Sequence, residues 1–190
     1  VIGTMMEPVE LPEMKSDAEI AAIKDSKKKW ACIGHELDYA NRAWIQPGCW
    51  STAVLQQTNE DADAMYRRWA EEDVQVEEYR MEDAEVVLTA YGICGRIAAS
   101  AVDMLRAQGV KAGMIRPITV YPFPYAAYDK IDYAKCKGIV SVEMSIPAQF
   151  AVDVEAAVKE RCPVTTCLCS GGNIMSREAV IETVKKVMEG

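Results

Sequence analysis

Ala84-Glu-Val-Val-Leu-Thr-Ala-Tyr-Gly-Ile-Cys-Gly-Arg96 reads as a buried strand that turns into a helix. Residues 86–91 form a continuous, largely β-branched apolar run, the pattern of a strand covered on both faces. Gly92 ends it. A helix is predicted over 96–108, closed by Gly109. The same alternation continues to the end of the chain. Strands are predicted at 110–115, 138–144 and 163–168, with helices at about 125–133 and 148–160. A last helix follows Ser176, which caps it, and Glu178 favours its positive end. Strands joined through helices must run mostly parallel, with helices on both faces of the sheet. Residues 84–190 are therefore predicted to be one α/β domain.

The first 83 residues differ in kind. They carry 9 Lys+Arg against 18 Asp+Glu, whereas residues 84–190 carry 12 against 11. The whole chain is −8. An acidic, solvated extension thus precedes a nearly neutral globule. Phosphate binding needs clustered Lys and Arg, so nucleic acid is not an expected partner. The one basic run, Lys27-Lys28-Lys29, reads as a solvated helix face. Glu7-Pro8-Val9-Glu10-Leu11-Pro12 is too Pro-broken for a helix. A helix is predicted over 17–29, capped by Ser16 or Asp17. Residues 30–50 read as irregular structure whose tryptophans, Trp30, Trp44 and Trp50, pack onto something. A long amphipathic helix is predicted from Ser51 to about Tyr79. Its apolar stripe, Leu55, Ala62, Met65, Tyr66 and Trp69, follows helical spacing and reads as a packing face.

Seven cysteines and no secretory signal point to reduced thiols and a cytoplasmic protein. No stretch approaches the roughly 18 apolar residues of a membrane span. The chain begins without Met, which is read as the mark of a truncated or processed piece.

In open α/β sheets ligands bind at the carboxyl ends of the strands. The residues predicted there are Tyr91, Gly92 and Arg96 after the first strand, Arg116 after the second, Glu143 and Gln149 around the end of the third, and Gly171 and Gly172 after the fourth. The Gly92–Gly95 loop is either a tight turn or a place where amides meet an anion. Arg116 binds a carboxylate or phosphate, or forms a structural ion pair. Glu143 is open between structural and functional roles. Cys162, Cys167 and Cys169 lack zinc-ligand spacing and a nearby histidine, so small core residues are expected instead of a metal site. Cys94, just before a helix, is a candidate for a lowered pKa but reads better as a packed residue. His35 lies beside no obvious nucleophile. A phosphate loop, a dinucleotide fingerprint, an iron–sulfur cysteine run and a diphosphate–magnesium motif are all missing.

Several runs together carry a family resemblance. These are Glu82-Asp-Ala-Glu-Val-Val-Leu-Thr-Ala-Tyr-Gly92 with Arg96, Ala101-Val-Asp-Met-Leu-Arg106 with Gly109 and Gly113, and Arg116-Pro-Ile-Thr-Val-Tyr-Pro-Phe-Pro124. Val142-Glu-Met-Ser145 with Gln149, and Gly171-Gly172, complete the set. In these the chain resembles the C-terminal portion of the α subunit of 2-oxoacid:ferredoxin oxidoreductases. Gly3-Thr-Met-Met-Glu-Pro-Val9 is similar to the stretch where that subunit leaves its pyrimidine-binding domain, and it points to the branched-chain, 2-oxoisovalerate type.

The resemblance implies a three-layer α/β/α domain of the transketolase C-terminal type. Its mostly parallel five-stranded sheet would occupy residues 84–190. Residues 1–83 would be an extended and helical linker after a missing pyrimidine-binding domain. It implies a complete enzyme that decarboxylates a 2-oxo acid on thiamine diphosphate with Mg2+. Electrons would pass through iron–sulfur clusters to ferredoxin, and an acyl-CoA would be released. This chain would hold none of these cofactors and would be inactive alone. The implied partners are the diphosphate-domain and ferredoxin-type subunits, with ferredoxin and CoA serving the whole enzyme. A homo-oligomer is also expected. One departure is visible: Ile146-Pro147-Ala148 precede Gln149 where the family tends to place a Gly, and Pro lacks a backbone N–H for a ligand. The alternative reading is a non-enzymatic interaction module that docks through the 55–69 stripe.

Overall fold

Strand β2 (Val86–Thr89) is buried along its whole length. Val86 and Leu88 point to one face of the sheet and Val87 to the other, as a two-residue period requires. The computed structural model describes residues 10–30, 43 and 51–190. The chain divides into two units, Val1–Asp61 and Ala62–Gly190.

In the first unit, α1 (Asp17–Ser26) is opened by a capping box. Ser16 Oγ accepts from the Glu19 N–H, and the Ser16 N–H donates to the Glu19 carboxylate at 2.8 Å. The helix stops at Ser26, and a 3-10 turn over Lys28–Trp30 replaces the rest of the predicted element. His35, Trp44, Trp50 and the 3–9 segment lie outside the described residues.

Helix α2 (Thr52–Glu72) buries no residue. Within its stripe Ala62, Met65 and Trp69 are half-buried, while Leu55 and Tyr66 are exposed. The prediction that this helix runs to Tyr79 fails at Glu72. Val76–Tyr79 forms β1, pairing antiparallel with β3 (Ala112–Pro117) in a register that sets Glu77 opposite Arg116. The Glu-Glu-Tyr segment has helical composition, but its strand partner lies some forty residues on and is invisible to local pattern. β1 also means that the sheet begins before Ala84.

The sheet order is β1-β3-β2-β4-β5, with β4 (Ile139–Glu143) and β5 (Val164–Leu168) parallel to β2 and β3. Helices α3 (Gly92–Ala107) and α6 (Arg177–Glu189) cover one face. Their Ala98, Val102, Leu105, Val180 and Val184 pack on Leu88, Met114 and Val140. Helices α4 (Tyr125–Asp129) and α5 (Phe150–Val158) cover the other, with Tyr128, Val154 and Val158 against Val87, Ile115 and Ile139. Each fully buried Val or Leu contributes about 1.5–3 kcal/mol. This is the predicted three-layer α/β/α arrangement with a mostly parallel five-stranded sheet. Helix α3 starts four residues earlier than predicted. Gly92 takes φ +55°, which allows the strand to turn straight into the helix. Ser176 caps α6 as expected, accepting from the Ala179 N–H at 3.1 Å. Among the described residues no helix is long and apolar enough to cross a membrane.

Candidate functional site

β2 leads through α3 to β3 on one side, and β4 leads through α5 to β5 on the other. β2 and β4 are neighbours, so the topological switch point lies between their carboxyl ends. All eight predicted residues lie at that end of the sheet. The structure, however, closes the crevice there with aromatic rings. Tyr91, which follows β2, meets Phe150 at the start of α5, with centroids 5.1 Å apart. Phe123 packs against Phe150 at 6.0 Å and stacks on Tyr128 at 5.4 Å.

Two of the three charged candidates, Glu143 and Arg116, are engaged by the domain's own groups. Glu143 is 3% exposed. Its Oε2 accepts from Ser145 Oγ (2.6 Å) and from the N–H groups of Gln149 (2.8 Å) and Phe150 (3.0 Å). Its Oε1 accepts from the Ala151 N–H at 3.1 Å. A side chain from β4 thus satisfies the orphan donors at the start of α5. Burial by itself would raise the Glu143 pKa, but the Ser145 hydroxyl and the three N–H groups outweigh it and hold it below the ordinary carboxylate value. Gln149 enters through its backbone, as the residue before α5.

Arg116 pairs with Glu77 of β1 at 3.1 Å. Its stem lies across the first turn of α3, where a Cβ on Gly95 would come within 2.9 Å of Arg116 Cδ. Gly95 is therefore the seat of Arg116, a relation that sequence reasoning missed. The sequence pattern places Gly95 in the loop before the helix; the structure puts it inside α3, where a glycine costs about 1 kcal/mol relative to Ala. Gly95→Ala should push Arg116 off Glu77 and destabilise the domain by about 1–2 kcal/mol. The urea midpoint should drop accordingly, and an unchanged midpoint would refute the packing argument.

Arg96 is half-buried in the same helical turn. Gly171 and Gly172 are exposed at φ +67° and +83°, with open space where a Cβ would stand. They make the turn between β5 and α6.

Among the described cysteines, Cys94, Cys136 and Cys167 are buried. Burial, reinforced by Cys169, Cys167 and Glu143, pushes the Cys94 thiol up to about 11, the opposite of a helix-activated nucleophile. Cys167 is buried against Met175, and Cys169 packs on the same core face. Among the described residues no group of three or more His, Cys, Asp or Glu could hold a metal. On the α4/α5 face, Thr89 and Tyr128 share a buried hydroxyl–hydroxyl hydrogen bond that sequence did not suggest. A small cleft of about 50 Å³ opens at the opposite, amino end of the sheet, where Lys130 and Lys135 are already bonded to Glu78 and Asp132.

A diphosphate–magnesium group does not fit the carboxyl end. An aromatic cluster fills the crevice, Glu143 has its oxygens engaged by its own helix, and the Pro147 loop lacks an N–H where a ligand would want one.

These features define an α/β/α domain of the transketolase C-terminal type. The chain belongs to the pyruvate:ferredoxin oxidoreductase core domain II family, whose model matches residues 84–180. It is 33% identical over 187 residues to a ketoisovalerate oxidoreductase subunit, VorB, of Methanothermobacter thermautotrophicus, covering 98% of this chain and 50% of that protein. The chain thus spans about half the length of this relative. Its fold matches 2-oxoglutarate:ferredoxin oxidoreductase from Magnetococcus marinus at a TM-score of 0.65, with 19% identity, over 85% of this chain and 29% of that one. A split-gene transketolase chain matches at 0.52 over 60% of this chain and 41% of that one, again at 19% identity.

Proposed function

We propose that this chain is the C-terminal part of a subunit of a 2-oxoacid:ferredoxin oxidoreductase of the 2-oxoisovalerate type. The complete enzyme oxidatively decarboxylates a 2-oxo acid to an acyl-CoA and passes the electrons to ferredoxin. The carrying observation is that similarity to a ketoisovalerate oxidoreductase subunit runs through extension and domain alike, over 187 residues. In this reading the thiamine diphosphate, Mg2+ and iron–sulfur clusters sit in other parts of the assembly. The domain holds those parts in place. Its own carboxyl-end residues are committed to packing: Glu143 organises α5, Arg116 ties β3 to β1, and Tyr91 closes the switch point.

The test uses the full-length subunit co-purified with its companion chains. Viologen reduction is followed with CoA, thiamine diphosphate and a panel of 2-oxo acids. The highest kcat/KM is expected on 2-oxoisovalerate, with no turnover by the isolated chain. A preference for pyruvate or 2-oxoglutarate would correct the substrate. Silence from an intact, cluster-loaded complex would overturn the activity.

A further inference from the structure

Two cysteines meet where β4 and β5 begin. These strands run parallel with Ile139 opposite Val164, and the Ile139 N–H donates to the Pro163 carbonyl at 2.9 Å. Cys136 and Cys162 therefore stand just ahead of two paired strand starts. Both side chains belong to the core on the α4/α5 face, with Ile131, Tyr133 and Val164. The Cys162 thiol donates to Cys136 Sγ, and the Cys136 thiol donates to the Gly138 carbonyl at 3.5 Å. Cys136 is buried and Cys162 half-buried, so one sulfur of the pair is open to a small solute. Elsewhere the thiols turn to other partners: Cys167 to Met175 Sδ and Cys169 to the Asn173 carbonyl.

The segment that leads into Cys162 is held. Lys159 and Glu160 both take positive φ, 53° and 59°. Arg161 then folds back over the end of α5, donating to the Ala157 and Val158 carbonyls at 2.7 Å and to Asp129 at 2.8 Å. Its guanidinium lies 4.3 Å from the Tyr133 ring centre. Cys162 is thus fixed beside Cys136. Thiols already in contact need only small side-chain rotations to reach a disulfide length of about 2.05 Å. Burial raises the pKa of both thiols; at Cys162 the neighbouring Cys136 adds to the rise and the Arg161 guanidinium opposes it. Within the pair the Cys162 S–H favours the Cys136 thiolate. The dithiol is therefore the resting form at neutral pH, and its oxidation is slow.

We propose that Cys136 and Cys162 are a modification site for a small peroxide, forming a reversible disulfide that clamps the start of β4 to the start of β5. The more open Cys162 sulfur attacks the peroxide. An S–O bond forms, the O–O bond breaks and water leaves, with Cys162 as the sulfenic acid. The Cys136 thiolate attacks the Cys162 sulfur. The S–S bond forms, the S–O bond breaks, and hydroxide leaves as water with the proton that Cys136 gave up. Both electrons pass from sulfur to peroxide, and a dithiol reductant reverses the step. The link encloses residues 137–161, which hold β4 and α5. None of this depends on the function proposed above.

The test exposes the full-length subunit, co-purified with its companion chains, to hydrogen peroxide. Remaining thiols are alkylated, the chain is digested without reductant, and linked peptides are sequenced by mass spectrometry. A Cys136–Cys162 link is expected in roughly tenfold excess over any other cysteine pair, because only these sulfurs start in contact. Dithiothreitol should remove it. Cys136→Ala and Cys162→Ala should each abolish it, whereas Cys94→Ala should keep it. Peroxide that leaves both thiols free, drives Cys162 to the sulfinic acid without a link, or joins either to a different cysteine would overturn the proposal. So would an equal preference for this pair in the urea-unfolded chain, since the fold would then contribute nothing. The readout is a covalent bond, so a complex that oxidises no 2-oxo acid sinks the proposed function and leaves this test intact.

Discussion

Glu143→Gln should cost the domain about 3 kcal/mol at neutral pH, with the acid limb of its stability curve flattened as well. The carboxylate accepts four hydrogen bonds at 3% exposure, three of them from backbone N–H groups at the start of α5. Glutamine has nearly the same shape but one acceptor oxygen. Its amide nitrogen would face N–H donors, leaving at least one buried donor unsatisfied at about 1–3 kcal/mol. The negative charge that complements the helix N-terminus is also lost. The pH dependence follows from the lowered folded-state pKa. Such a group contributes stability that is fully present above the unfolded value, near 4.5, and is lost as pH falls through the lower folded value. The variant should lack that part of the acid slope. Urea midpoints at pH 7 and across the acid range would decide it. Equal midpoints at pH 7 would mean that α5 does not depend on this carboxylate.

Gly113→Ala should destabilise the domain by about 3 kcal/mol or more and release β1. A Cβ at this position would stand 2.8 Å from the Arg80 carbonyl oxygen and the Met81 sulfur, and 2.9 Å from Ala84 Cβ. The carbonyl cannot retreat cheaply, because Arg106 Nη2 donates to it at 2.7 Å while bonding Asp83 at the same distance. At Gly138 the same change meets a methyl group of Val187 at 2.7 Å, the movable end of a side chain. Gly138→Ala should therefore cost clearly less. Thermal melts of the two variants side by side test the argument. A smaller loss at Gly113 than at Gly138 would contradict it.

Much of this was legible in the amino-acid order. The apolar run predicted at 86–91, the strands predicted at 138–144 and 163–168 and the capping Ser176 are local signals, and they placed the parallel strands and the α6 start; at α1 the cap was open between Ser16 and Asp17, and the structure takes Ser16. The runs around Tyr91, Arg116 and Glu143 also pointed to the family and to the carboxyl end of the sheet. The roles of those residues were not legible. Glu143 could have faced a ligand or its own chain, and that depends on where α5 begins, seven residues on. Arg116 could have bound an anion, until β1 supplied Glu77 from across the sheet. β1 itself was hidden because a four-residue edge strand of Val-Glu-Glu-Tyr gains its stability from a partner distant in sequence.

The sequence alone therefore determined the layer order, because alternating periodicity and cap chemistry act within a few residues, and its motif runs carried the resemblance to the family. Only the tertiary structure decided that the switch point is plugged by Tyr91 and Phe150, and that Glu143 and Arg116 are engaged by the domain's own groups. It also brought Cys136 and Cys162 together ahead of β4 and β5. Each of these is a meeting of side chains far apart in the chain. The energy of such a contact depends on proximity and burial, which folding supplies and residue order does not state.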